Sequence, residues 1–188
     1  MRWRSSEKSA QDYMIETLIT SKTRIKLLLK FFLNPDNSAY LRGLEAEFDD
    51  ESSNAIRLEL NRLEEANMLH TELVGNRKLF RVNQAHPLYS EIKSIVSKYF
   101  GLNIVVDHII RKIGNLEAVY LIGDIAKGKD SGIIDLIFVG VIDQSYLIEL
   151  ISKAEKLIKR KIRYIIYSAQ EYDSLDVQSK KQSLLIWK

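Results

Sequence analysis

Four side chains able to hydrogen-bond base edges, Ser53, Asn54, Arg57 and Asn61, recur at spacings of three and four after Glu51-Ser52. On an α-helix that spacing gathers them on one face, opposite Ile56, Leu60 and Leu63. The chemistry open to such a face is readout of a duplex. Arginine forks onto guanine and asparagine onto adenine, each good bidentate pair discriminating by roughly 1–3 kcal/mol. Ser52 and Ser53 stand at the helix start, where a hydroxyl caps backbone N–H groups or holds a phosphate. Arg77 and Lys78 flank a Gly75-Asn76 turn, two cations placed to hold phosphate or enter a minor groove. Lys22, Arg24 and Lys26 are further candidates for phosphate contact. The plainer readings of the same residues are a solvated helix face and a charged hairpin tip that guards an edge strand.

These residues need elements to position them. Ser21 precedes Ile25, Leu28, Leu29, Phe32 and Leu33, a capped apolar stripe that Pro35 follows, so the first helix starts at Ser21. Leu41, Leu44 and Phe48 predict a short second helix ending at Asp49-Asp50, and the third runs from 51–53 to about residue 66. The period then changes to that of two strands, 69–74 and 77–82, joined by the Gly75-Asn76 hairpin turn. Helices over 87–100 and 102–113, stopped at Gly101 and Gly114-Asn115, lead into a second half. There 118–122, 133–139 and 161–167 read as strands, 147–159 as an amphipathic helix, and Leu184-Leu185-Ile186-Trp187 as a segment that docks back. Strands apolar on both faces with helices between them predict a mixed sheet covered by helices.

Composition narrows the function classes. The 188 residues carry 28 Lys+Arg against 25 Asp+Glu, a net charge of +3, with 46% apolar residues, 2 Pro and 8 Gly. That is the balance of an ordinary globular chain. Without cysteine there is no disulfide framework, no thiolate nucleophile and no Cys-based metal site. The scattered His70, His86 and His108 give no histidine cluster either. No stretch approaches the ~18 apolar residues of a membrane span, and Arg2-Trp3-Arg4 is not followed by an apolar signal segment. The expectation is a cytoplasmic protein with no membrane contact. Residues 1–11 are polar and aperiodic and read as a mobile arm, with Met14 an alternative start. Between positions 21 and 83 ten basic residues face ten acidic ones, which predicts modest affinity for random DNA.

The runs SKTRIKLLLKFFLNP, LNRLEEANML, GNRKLFRVN and HPLY, spread over 21–89, resemble the winged helix-turn-helix domain of ArsR-type bacterial transcriptional regulators. The resemblance implies a dimeric, site-specific binder of double-stranded DNA whose recognition helix is 51–66. Many members sense metals through Cys or His clusters; with no Cys here, that property is not carried over.

Gly123-Asp124-Ile125-Ala126-Lys127-Gly128, followed by Ile133-Ile134-Asp135-Leu136, resembles a nucleotidyltransferase signature, over roughly 116–167. Such enzymes hold two Mg²⁺ on three carboxylates beside a Gly-Ser turn that cradles the triphosphate. Against that pattern the first carboxylate falls at Ile133, the third near Arg163, and the Ser of the turn is Asp124, which repels a polyphosphate. Only Asp135 remains. The resemblance thus implies an inactive relative with Gly123, Asp124, Lys127 and Asp135 as degenerate nucleotide-site positions, and with Asp124 and Asp135 neutralised by groups such as Lys127 and Arg163. Asp124, Asp130 and Asp135 are the only set left for an unusual metal site. The basic run Lys153, Lys156, Lys159, Arg160, Lys161 and Arg163 reads as a solvated face.

The expectation is therefore an α+β chain: an arm or helix over 1–20, a winged helix-turn-helix over 21–86, linking helices over 87–114, and a small α/β nucleotidyltransferase-like domain over 115–188. Its function would be sequence-specific transcription regulation as a homodimer, without catalysis or cofactor, with a small-molecule or protein effector acting on the second domain. The alternatives are Mg-dependent nucleotidyl transfer and an antitoxin-like partner protein.

Overall fold

The computed structural model describes residues 15, 17–176 and 183–188; the N-terminal arm expected over 1–11 and the start at Met14 lie outside the described residues. The chain is α+β with two sheets. Helix α1 (Lys22–Phe32) is capped by Ser21, whose hydroxyl accepts from the Arg24 N–H at 3.2 Å. Strand β1 (Ser38–Tyr40) follows, then α2 (Leu41–Glu47), α3 (Ser53–Glu65) and the hairpin β2 (Leu69–Val74) and β3 (Arg77–Val82). The hairpin turns at Gly75, where φ is +61°, and β1 adds to its far side to give the order β1-β3-β2. Helix, helix, helix and hairpin in this order, with β1 pairing β3 antiparallel from Ser38 opposite Arg81 to Tyr40 opposite Leu79, is the winged helix-turn-helix arrangement. Strand β1 has no counterpart in the sequence reading, because three residues are too few to show a period.

Helix α4 (Tyr89–Tyr99) ends at Gly101, where φ is +77° and an added Cβ would lie 2.7 Å from a methyl carbon of Ile158. The next helix, α5 over 102–113, contains a π-helical stretch, Val106–Ile110. The second sheet comprises β4 (Leu116–Ile122), β5 (Ile133–Gly140), β6 (Lys161–Tyr167) and β7 (Leu184–Trp187) in the order β6-β5-β4-β7. Strand β5 runs parallel to β6 and antiparallel to β4, so the sheet is mixed. A four-residue helix, α6 (Gly123–Ala126), follows β4. Helix α7 (Gln144–Ile158), capped by Asp143, forms the crossover, and α8 (Ala169–Ser174) lies against the other face, where Tyr172 stacks on Tyr120 at 4.6 Å.

One buried cluster runs through the molecule, from Phe31 and Phe32 of α1 through Val96 and Phe100 to Val119, Phe138 and Leu147. The α1 stripe is consequently wider than its sequence period suggests. Leu27 and Phe31 are covered as fully as Ile25 and Phe32, because α1 has the winged unit on one side and the second unit on the other. The contact between units is close: the Ala126 carbonyl accepts from the Asn34 and Asn37 amides at 3.2 and 3.3 Å. At Gly128, with φ of +77°, an added Cβ would lie 2.4 Å from the Cα of Lys30. Among the described residues no helix is long and apolar enough to cross a membrane.

Gly128→Ala should therefore lower stability by about 2–3 kcal/mol, through the clash with backbone and the left-handed φ together. Gly43, inside α2 with nothing within 4 Å of an added Cβ, gives the opposite result: Gly43→Ala should add about 0.5–1 kcal/mol. Urea denaturation of the two variants checks both.

Candidate nucleic-acid interface

Helix α3 buries Ile56, Leu60 and Leu63 and leaves Ser53, Asn54, Arg57 and Asn61 exposed, the division its spacing predicts. Ser52 is the cap, accepting from the Ala55 N–H at 3.1 Å, so its hydroxyl serves the helix. Arg57 and Asn61 face the hairpin across a cavity of about 530 Å³, together with Asn76, Arg77 and Lys78 from the hairpin tip and Tyr40, Leu41 and Arg42 from the β1–α2 junction. Ser53 and Asn54, a turn or more nearer the helix start, do not line this cavity.

The hairpin tip is held. Lys78 pairs with Glu64 at 3.1 Å, and Glu64 also accepts from the Thr71 hydroxyl at 2.8 Å. That hydroxyl, with Lys78 adding to it and burial opposing, keeps the Glu64 carboxyl below its ordinary range. Arg77 lies over the Tyr40 ring at 5.2 Å, a cation–π contact that aims the guanidinium without neutralising it. Arg42 joins the cavity rim from α2. The sequence reading missed it because on that helix only the apolar residues carry a pattern.

The phosphate contacts expected of Arg24 and Lys26 are not available in this arrangement. Glu59 points inward from α3, 5% exposed, and takes Arg24 at 2.7 Å and Arg62 at 2.8 Å. Burial alone would raise its pKa, but the two guanidiniums, Arg24 foremost, hold it below the ordinary 4.5. Lys26 is bound by Asp50 and Glu51, and Lys30 by Glu47. Within the winged unit, Arg42, Arg57 and Arg77 have no carboxylate partner among the described residues, and all three line the one cavity.

The second unit neutralises its carboxylates in the same way. Parallel pairing sets Asp135 of β5 beside Arg163 of β6, and the guanidinium grips both carboxylate oxygens, at 2.6 and 2.9 Å. Gly123 starts α6 with φ of +71°; an added Cβ would lie 2.4 Å from Asp135 Oδ2, so the turn presses directly on that carboxylate. Asp124 and Lys127 are exposed; Asp124 adds to the electrostatic hold on Arg163, and Lys127 makes no ion pair among the described residues. Asp130 is drawn away to Arg160, with Tyr99 donating at 3.0 Å; burial would raise its pKa, but Arg160 brings it below the ordinary range. Asp124, Asp130 and Asp135 therefore do not assemble, and the described residues contain no group of three potential metal ligands. In the basic run read as a solvated face, Lys153, Lys156, Lys159, Lys161 and Arg163 are exposed, but Arg160 departs, its side chain 8% exposed against the rings of Tyr99 and Phe100.

No family model and no curated protein matches the sequence. Among solved structures the chain is similar to AF1382 from Archaeoglobus fulgidus, at 21% identity over 45% of this chain and 94% of that one, with a TM-score of 0.36. It is similar also to reduced HlyU from Vibrio cholerae, at 16% identity over 50% of this chain and 88% of that one, with a TM-score of 0.35. Human N-acetylserotonin methyltransferase in complex with SAM shares 15% identity over 58% of this chain and 36% of that one, with a TM-score of 0.29. At such scores the winged arrangement rests on the chain's own topology and register.

A carboxylate whose folded pKa is depressed contributes stability above its unfolded pKa and loses it as pH falls through the folded value. Glu59 should thus stabilise the fold at neutral pH and progressively less below its ordinary 4.5. Glu59→Gln should cost about 2 kcal/mol at pH 7 and flatten the acid limb of the stability profile, measured by urea denaturation across pH 3–7.

Proposed function

We propose that the protein is a sequence-specific regulator of transcription that binds double-stranded DNA as a homodimer. The observation that carries this reading is the convergence of Arg42, Arg57 and Arg77, all without carboxylate partners among the described residues, on the exposed groove between α3 and the hairpin. Asn61 and Asn76 line the same groove. Helix α3 enters the major groove, where Arg57 and Asn61, one turn apart, read neighbouring bases, and Ser53 and Asn54 lie at the end that meets the backbone. Arg77, aimed by Tyr40, holds the strand beside the wing, and Arg42 holds phosphate from α2. Two copies would read half-sites related by the dimer axis. The second unit is a non-catalytic module for an effector or for assembly, its single central carboxylate already matched by Arg163.

The second reading is nucleotidyl transfer, favoured by the close seat of Gly123 on Asp135. A two-metal clamp needs several carboxylates to balance its charge, and Arg163 occupies the place of one. Incubation with labelled ATP and Mg²⁺ separates the readings: the regulator gives no transfer, whereas transfer abolished by Asp135→Ala would establish the enzyme.

Footprinting on the protein's own upstream region should show a protected site at moderate salt; protection of no sequence would contradict the regulator. Arg57→Ala should relax preference at one base position, a loss of roughly 1–3 kcal/mol there. Arg77→Ala should weaken all sequences alike and reduce the salt slope by about 0.9. Lys78→Ala should change that slope less, because Glu64 already balances its charge. Fluorescence anisotropy at several salt concentrations reads all three.

A further inference from the structure

The cavity between α3 and the hairpin is not walled as a duplex requires. Beneath the arginine rim its lining includes Leu41, Leu60 and Phe80 and the ring of Tyr40. Base edges and phosphates are matched by the polar rim alone. At about 530 Å³ the space falls within the roughly 300–1,000 Å³ of sites that take small molecules, which are likewise apolar with a few placed polar groups.

From this juxtaposition we infer that the groove is also the site of an amphiphilic anion, one carboxylate or phosphate on an apolar body, whose occupancy excludes DNA. The apolar body lies against Leu41, Leu60, Phe80 and Tyr40. The charged head meets the guanidiniums of Arg57 and Arg77, which have no carboxylate partner to displace among the described residues. A guanidinium fork matches carboxylate and phosphate oxygens alike. A ligand seated there occupies Arg57 and Asn61 and so competes for the groups that read bases. Regulation would then act by direct competition at the interface, with no conformational signal needed from the second unit. The exclusion of DNA rests on the proposed regulator function; binding of the anion does not.

The test uses the full chain, ¹⁵N-labelled, titrated with dodecanoate and separately with dodecyl phosphate below their micellar concentrations, with dodecan-1-ol as the uncharged probe and acetate as the headgroup alone. Saturable amide shifts centred on residues 41–42, 57–61 and 76–80 are expected. Dodecan-1-ol and acetate should bind at least tenfold more weakly, as should dodecanoate to the Arg57→Ala/Arg77→Ala double variant. Arg111→Ala, on α5, should bind as the unaltered protein does. The tighter of the two anions identifies the headgroup. Addition of either should raise the apparent Kd for a footprinted duplex in proportion to its concentration. Shifts scattered over other apolar surfaces, equal binding of dodecan-1-ol, or undiminished binding to a double variant whose spectrum shows it folded would overturn the site. Anion binding without any duplex protection would uphold the site and overturn the regulator function; DNA binding unaffected by a saturating anion would overturn the competition.

Discussion

The inward turn of Glu59 determines how the winged unit meets its surroundings. A carboxylate on the buried side of α3 must be matched, and it is matched by Arg24 from α1 and Arg62 from its own helix, with the Ser21 hydroxyl at 3.4 Å. This node locks the first and third helices in register. Together with Lys26 on Asp50 and Glu51, and Lys30 on Glu47, it takes up three of the four cations of the first helix and leaves Lys22 exposed. Most of the charge of the first helix is thereby balanced, while that of Arg42, Arg57 and Arg77 is left at the groove. A nearly neutral sequence acquires a directional positive face because its ion pairs are formed unevenly.

The same helix α1 also joins the two sheets. With seven of its eleven residues buried, it is the shared wall of a single core, and the turn at Gly128 approaches its backbone too closely for any side chain. The segment that resembles a triphosphate cradle is thus packed on the winged unit at one end and pressed on a neutralised carboxylate at the other. These contacts give the segment a structural role beside the carboxylate of Asp135. Its partnership with Arg163 follows from register alone, since parallel β5–β6 pairing puts the two residues side by side.

Much of this was legible in the sequence, and what was not has physical causes. Helices and hairpin followed from capping residues, apolar periods and the Gly75-Asn76 turn, and the exposed face of α3 from its spacing. Strand β1 left no trace because it is three residues long. Of the groove, Arg57, Asn61, Arg77 and Lys78 were anticipated, but Arg42 was not, nor the apolar floor beneath them, because a cavity formed by three separated segments has no local pattern. Ion-pair partners escaped most completely. Nothing along the chain says that Arg24 belongs to Glu59, 35 positions away, or Arg160 to Asp130, and those pairings decide which cations remain available.

The proposed function makes the groove between α3 and the hairpin the surface that meets DNA. Photocrosslinking tests it most directly, with p-benzoylphenylalanine placed at Asn61 in one preparation and at the exposed Leu157 of α7 in another, each mixed with a duplex selected from random sequence. Protein–DNA crosslinks are expected from position 61 and none from position 157. Crosslinks from 157 with none from 61 would contradict it.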